Sequence, residues 1–355
     1  MQDAAETALW AWFLFRSGLP ASRAKALLQE WRSRGLSLRE ALALPRAQLG
    51  ISPQEAARLH PPAELPPATA LRWDNGYAPA HDIGRGLLSL PLKLRPALLF
   101  YHGEVALLGR PLVYLAPAPM NAEDKQMLHE ALSLLADEPL LLGVYAASPQ
   151  VPILLEELVH STGEAVIFAR TGTKIHRPTD LEASLIEQGR LIIVSPLPPQ
   201  TAYQPAWDTI LQQVAVAAAG RVLLTGEAAR NSSLVPGLEV AQQDTSAVLA
   251  LTATDPQSSE PAGYQIADTP AAVLPWVDTL FANASLDAEA TEPHGAAGPA
   301  GRESTAPYWV GPELTEMVEA DLGPPPSAEE IIETLSKSGT IPEALRRRLL
   351  GDEET

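Results

Sequence analysis

The sequence contains no cysteine. That excludes disulfides, thiolate metal sites and a cysteine nucleophile, and it fits a reducing cytoplasm. Aromatic residues make up only 5% of the composition, and positive charge is scarce: 25 Lys+Arg stand against 43 Asp+Glu, for a formal net charge of −18. An acidic body repels phosphate backbones, so any nucleic-acid contact has to come from a local basic patch. The first sixty residues are net basic, with eight Lys+Arg against five Asp+Glu, whereas residues 281–355 hold five against fifteen. Arg16, Arg23, Lys25, Arg32, Arg34 and Arg39 form the densest basic set. Long apolar runs are missing as well. The eight residues "ALWAWFLF" follow Asp3 and Glu6, which is too short for a membrane span and wrongly charged for a secretory signal. "PLLLGVYAASPQVPILL" is broken by prolines, Ser148 and Gln150. The composition reads as a soluble cytoplasmic protein with no membrane contact.

Signatures of catalysis are also lacking. There is no Gly-x-Ser-x-Gly elbow, no Walker sequence and no Gly-x-Gly-x-x-Gly after a strand pattern. The seven histidines (His60, His81, His102, His129, His160, His176 and His294) show no His-x-x-x-His spacing and no cluster with carboxylates, so no metal is expected. "AEDKQMLHEAL" has acids and a histidine, but at the spacings of a solvated helix. The expectation is a non-enzymatic protein with no cofactor.

What is present is a chain of 355 residues, 46% hydrophobic, long enough to bury a full core. Residues 1–60 carry four short helical patterns. Two of them open with a capping box, Ser37 to Glu40 and Ser52 to Glu55, the second with Pro53 at the first helical position. Trp10, Trp12 and Trp31 read as the core of this small helical domain. Residues 61–96 are a proline-stiffened linker and an extended lead-in. From residue 97 the texture changes to short, nearly continuous apolar runs: "ALLFYHG", "PLVYLAP", "LLLGVYA", "AVIFAR", "RLIIVSP", "RVLLTG" and "AVLALTA". Helical patterns such as "TDLEASLIEQG" separate most of them. Such an alternation predicts an α/β domain over residues 97–280, a doubly wound, mostly parallel sheet covered on both faces. Residues 281–306 are rich in Ala, Gly, Pro and Glu and read as a disordered linker. Residues 307–355 end in two capped helical patterns, too small for a core of their own, which have to dock on the core, a second copy or another protein.

Several segments together resemble the DprA/Smf family of DNA-processing proteins, over roughly residues 8–280. "GLPASRAKALLQ" is similar to its N-terminal hairpin segment, with Pro20 where a glycine is usual. "GYAPAHDIGRGLLSLPLKLRPALLFYHG" resembles its Tyr-Pro-x-x-Leu segment and the strand after it. "TGTKIHRPTDLEASLIEQGRLIIVSPLPPQT" resembles its Gly-Thr-Gly loop and the strand ending in Ser-Glu-x-Pro, and "RVLLTGEAARNSSL" its Val-Glu-Ala strand and Ser-Gly-Ser-Leu turn. The resemblance implies a Rossmann-like domain that binds single-stranded DNA and loads a recombinase during natural transformation. The tail resembles the first two helices of a winged-helix domain, but only "LLGDEET" follows Arg348, so it would be a reduced version.

The ligand-facing residues of that pattern are mostly replaced. Leu115, Ala116, Pro117 and Ala118 stand for Val-Gly-Ser-Arg, and Leu211, Gln212 and Gln213 for the Arg-Asn-Arg that opens a later helix. Gly226 takes the place of an acidic residue, and Asn231, Ser232 and Ser233 replace Ser-Gly-Ser. Without the glycines that let backbone N–H groups approach an anion, and without the guanidinium groups, the ancestral pocket should no longer compensate a phosphate, and single-strand affinity should be reduced. The remaining candidates for ligand or DNA contact are Arg170, Lys174, His176 and Arg177 around "TGTKIHRP", with Arg230 from a neighbouring turn. An ordinary solvated loop is the competing reading for them, and Arg346, Arg347 and Arg348 answer a helix dipole. The function read from the sequence is a DprA/Smf-like protein of DNA uptake and recombination, with weakened DNA binding and a recombinase or other protein as partner; a homo-oligomer is compatible with this. An interaction scaffold that has lost DNA binding stays open, and so, more remotely, does a nucleotide-derivative sensor or hydrolase.

Overall fold

Two kinds of hydrophobic pattern build the molecule, one of helical period and one of continuous apolar strands, and each finds its own core. The computed structural model describes residues 4–45, 48–59, 61, 70–72, 87, 90, 96, 98–241, 247–252, 264–279 and 281. Nearly all of the expected linker 281–306, the tail 307–355 and most of the lead-in 61–96 lie outside these residues.

The chain opens with helices α1 (Ala4–Phe15), α2 (Ala21–Ser33), α3 (Leu38–Ala43) and α4 (Pro53–Arg58). Both expected capping boxes form, Ser37 with Glu40 and Ser52 with Glu55. Trp12, Phe13, Leu27 and Trp31 fill the space between the helices, and the indole N–H of Trp31 donates to Leu49 O at 3.0 Å. This core does not stop at the helices. Ala70, Leu98 and Phe100 of the sheet edge belong to it, and the rings of Phe15 and Phe100 lie 6.0 Å apart.

Nine strands form one sheet among the described residues. They are β1 (Ala70–Arg72), β2 (Leu98–Gly103), β3 (Leu112–Leu115), β4 (Leu141–Tyr145), β5 (Glu164–Phe168), β6 (Leu191–Ser195), β7 (Arg221–Leu224), β8 (Val248–Leu251) and β9 (Gln265–Ala267). Their spatial order is β1-β2-β6-β5-β4-β3-β7-β8-β9. From β3 the chain steps outward through β4, β5 and β6, then returns to the other side of β3 with β7, β8 and β9, all parallel. The doubly wound α/β architecture is therefore present, with its topological switch point between β3 and β7. Strands β1 and β9 have no counterpart among the seven apolar runs; they are three residues each, and β9 is largely exposed.

One of the seven runs departs from the parallel pattern. Strand β2 pairs antiparallel with β6 and with β1. Only a short 3-10 turn at Val105–Gly109 links it to β3. A parallel crossover needs about a dozen residues or more, so β2 can only run against β6 and deliver the chain to the start of β3.

Side chains alternate across the sheet. Val113 and Leu115 of β3 pack with Leu128 and Leu132 of α5 (Ala122–Leu135) and with Leu154 and Leu158 of α6 (Gln150–His160). Leu185 of α7 (Asp180–Glu187) and Trp276, from the helical residues 273–279, join the same layer. On the opposite face Tyr114 meets Leu211 and Val214 of α8 (Asp208–Ala218). Short helices α9 (Glu227–Arg230) and α10 (Leu238–Ala241) continue that layer. Helix α6 starts at Pro149 without a side-chain cap, a loss of about 1 kcal/mol. Burial of Leu154, Leu155 and Leu158, at about 1.5–3 kcal/mol each, outweighs it.

Glu55 ties the helical unit together. Its carboxylate accepts from Ser52 N at 2.7 Å as part of the cap and from Arg23 Nε at 2.7 Å, and Arg23 also donates to Gly50 O. The Arg23 hydrogen bond, with the Ser52 amide, holds the Glu55 carboxyl down at about 2. A depressed carboxylate contributes stability that is complete above its unfolded value of about 4.3 and is lost as the pH falls through the folded one. Acid titration of tryptophan fluorescence should show loosening of the helical unit between about pH 4.3 and pH 2, and Glu55→Gln should remove that pH dependence while lowering stability at neutral pH.

Candidate functional site

In an open α/β sheet, ligands sit at the carboxyl ends of the strands beside the switch point. Here that crevice is filled from within. Gln150, fully buried at the start of α6, donates from its side-chain amide to Ala116 O at 3.0 Å and Ala118 O at 3.3 Å. Ser148 Oγ bonds the same amide's oxygen and accepts from Gln150 N at 3.1 Å. From the other side, Glu227 N donates to Pro119 O at 3.1 Å. This contact depends on Gly226, which sits at φ 59° and ψ −133°. A Cβ there would lie 2.3 Å from Pro119 O and 2.8 Å from Met120 Cγ.

The N-terminus of α5, whose free N–H groups would otherwise suit an anion, is occupied as well. Asn121 caps it by accepting from Asp124 N at 2.8 Å, and Asp124 returns a carboxylate oxygen to Asn121 N at 3.1 Å. The Asp124 side chain is 3% exposed and held by Arg230 through two bonds of 3.1 Å. Burial raises its pKa, but the Arg230 and Asn121 hydrogen bonds outweigh it and keep the carboxyl below its ordinary range. A phosphate entering here would meet a carboxylate, and the positive charge of Arg230 is already compensated.

The second cluster lies at the carboxyl ends of β4 and β5. Arg170 makes a two-point contact with Asp208, Nε to Oδ1 at 3.1 Å and Nη2 to Oδ2 at 2.8 Å. Tyr145 at the end of β4 donates to Oδ1 at 2.6 Å, and Tyr203 donates to Oδ2 at 2.9 Å. The guanidinium of Arg170 also lies 3.8 Å from the Tyr203 ring centroid, and that ring keeps 38% of its surface exposed. Burial pushes the Asp208 pKa up, yet the hydrogen bonds from Arg170, Tyr145 and Tyr203 together bring it below the usual range. The Tyr145 hydroxyl, buried and facing that carboxylate, is pushed up.

The loop after Arg170 stands on the segment after β6. Gly172 N donates to Thr201 O and Lys174 N to Pro199 O, both at 2.8 Å. Only glycine fits at 172, because a Cβ would lie 1.9 Å from Pro198 O. Lys174 and Arg177 are exposed and have no ionic partner among the described residues. Gln200, in the supporting segment, accepts a long hydrogen bond of 3.4 Å from Arg16, which brings a cation of the helical unit to the same edge. His176 turns inward instead. Its side chain is 15% exposed, Nε2 lies 3.9 Å from Glu182, and burial lowers its pKa against the pull of Glu182. Burial thus favours its uncharged form.

The five residues singled out from the sequence are thus not one constellation. Arg170, Lys174 and Arg177 share the end of β5. Arg230 follows β7, three strand spacings away, on the order of 14 Å. Sequence reading missed Gln150, Asp124, Tyr145, Tyr203 and Asp208. Asp208 carried a partial signal, a carboxylate in the first turn of a helix, but its partner stands 38 residues earlier. The structure also moves the opening of α8. The helix begins at Asp208, so Trp207, Asp208 and Thr209 stand at its opening, while Leu211 lies within it, 2% exposed. Leu211, Gln212 and Gln213, which stand for the Arg-Asn-Arg of the resemblance, therefore lie inside the helix and not at its opening. Among the described residues no group of acids and histidines could hold a metal ion, and no helix is long and apolar enough to cross a membrane.

No family model matches this sequence, and neither does any curated protein. Solved structures do. DNA processing protein A (DprA) from Streptococcus pneumoniae aligns over 76% of this chain and 97% of its own, with a TM-score of 0.52 at 14% identity. A structure of DNA processing protein A from Helicobacter pylori, described for its single-stranded DNA binding mode, aligns over 61% of this chain and 97% of its own, with a TM-score of 0.45 at 15% identity. The chain therefore has the fold of the pneumococcal protein; at such identity the likeness is one of architecture.

The closed crevice predicts specific losses. Gln150→Leu leaves the Ala116 and Ala118 carbonyls without their donor and should cost about 1–3 kcal/mol. Gly226→Ala should cost more, because the clash is with backbone at a positive φ. Urea denaturation monitored by circular dichroism checks both.

Proposed function

We propose that this chain is a non-enzymatic, cytoplasmic DNA-processing protein of the DprA kind. It acts in DNA uptake or recombination, and its contact with single-stranded DNA is weak. Two lines support the reading: the shared architecture over nearly the whole length of the pneumococcal DNA processing protein, and the segments that resemble the DprA/Smf pattern in order. The observation that carries the weakness is the state of the arginines. Arg170 and Arg230 are both held by two-point contacts to carboxylates of the same chain. Lys174 and Arg177 are left as the cations of the β5 edge able to meet a phosphate, with Arg16 beside them. Two or three such contacts give salt-sensitive, sequence-independent binding and little more. A recombinase or a second copy of the chain would then supply what the DNA contact lacks.

A scaffold that no longer binds DNA is the second reading, favoured by the filled crevice between β3 and β7. Fluorescence anisotropy with a labelled oligothymidine separates the two. The expected dissociation constant is on the order of micromolar or weaker at physiological salt. Lys174→Glu with Arg177→Glu should abolish binding, whereas Arg230→Ala should leave it unchanged and lower the melting temperature. A nanomolar complex would contradict the weakened contact, and absence of binding at low salt would leave the scaffold.

A further inference from the structure

Four donor groups converge on one carboxylate at the end of β5: two guanidinium nitrogens of Arg170 and the hydroxyls of Tyr145 and Tyr203, at 2.6 to 3.1 Å. Such a set is what a bound oxyanion requires, namely a planar fork of charge with two further O–H donors. The oxyanion here is a side chain. We propose that Asp208 is a built-in occupant of an oxyanion site for a nucleic-acid phosphate, so that the chain inhibits its own DNA contact by holding Arg170 away from the strand.

The position of the cluster supports this. It lies at the carboxyl edge of β4 and β5, in the loop region that carries the exposed cations Lys174 and Arg177, and the carboxyl ends of strands are where open α/β sheets take ligands. Arg170 and Asp208 each keep 29% side-chain exposure, so the pair is within reach of solvent and is not sealed in the core. Asp208 stands at the opening of α8, where a negative group is favoured by the helix dipole and a phosphate would be favoured for the same reason. The exposed ring of Tyr203, with Arg170 against one face, offers the adjoining surface an apolar plane beside the charge. Asp124 on Arg230 repeats the device across the switch point, but that carboxylate is buried and its arginine serves the fold. Asp208 is the one that can be exchanged.

This proposal rests on the reading of the chain as a weak single-strand binder, and one experiment separates their failures. Oligothymidine anisotropy is measured over a range of salt for the wild type, Asp208→Asn, Arg170→Ala/Asp208→Asn and Asp180→Asn. The last is an exposed acid near the same loop and controls for the loss of one negative charge. Asp208→Asn keeps the shape and an acceptor for one of the two tyrosines, and should bind on the order of tenfold more tightly, the worth of one charge-assisted hydrogen bond. Its slope of log affinity against log salt should steepen by about 0.7, one further phosphate contact. The double variant should return to wild-type affinity and slope. Asp208→Ser is read in the same way if Asp208→Asn does not fold. A gain no larger than that of Asp180→Asn, or one that survives Arg170→Ala, overturns the proposal while leaving the weak contact intact. Absence of binding by every variant overturns both.

Discussion

A sheet buried on both faces can offer a ligand only its carboxyl edge, and the rest of this molecule follows from how that edge is finished. Strands β3, β4, β6 and β7 are buried at every position. Their carbonyls therefore emerge at the edge, where a bound ligand, water or the protein itself has to satisfy them. Here the protein does so. The Gln150 amide answers two carbonyls after β3, the backbone of Glu227 answers a third, and Gly226 lets the two loops close on each other. Leaving a buried carbonyl unmade costs more than the net worth of an ordinary hydrogen bond. The crevice is thus held shut by the same requirement that would otherwise make it a binding site.

Charge at the edge follows the same logic. An arginine with no partner is costly where it is partly buried. Both arginines there carry carboxylates from helix openings, Asp124 on α5 and Asp208 on α8. Each carboxylate serves two ends, since it also answers a helix N-terminus. The result is an edge whose paired charges cancel, with Lys174 and Arg177 as the exposed remainder. That distribution is in keeping with the proposed light contact with a polyanion, on a chain of net charge −18.

The N-terminal helices show a further consequence of packing. Two of them, α3 and α4, are capped by their own sequence, yet the core of the unit also takes in Ala70 of β1 and Leu98 and Phe100 of β2. The long hydrogen bond from Arg16 to Gln200 then places one cation of the basic helical unit beside the loop that holds Lys174.

Local rules account for what could be read directly. The capping boxes at Ser37 and Ser52, the seven apolar runs and the helices between them depend on residues a few positions apart, so period and composition suffice to place them. Replacement of the glycines and arginines at the strand ends is legible in the same way, as the loss of groups that hold a phosphate, but it does not reveal what fills the crevice instead. Tertiary structure decided the rest, because its causes lie far apart along the chain. Strand β2 runs antiparallel because the connection to β3 is too short to cross over. Strands β1 and β9 exist because neighbouring strands leave N–H and C=O groups to be paired, not through any pattern of their own. Arg170 and Asp208 are 38 residues apart and Arg230 and Asp124 are 106 apart. No spacing in a single sequence announces that these charges cancel; only the winding of the sheet, which brings strand ends and helix openings to one edge, makes them partners.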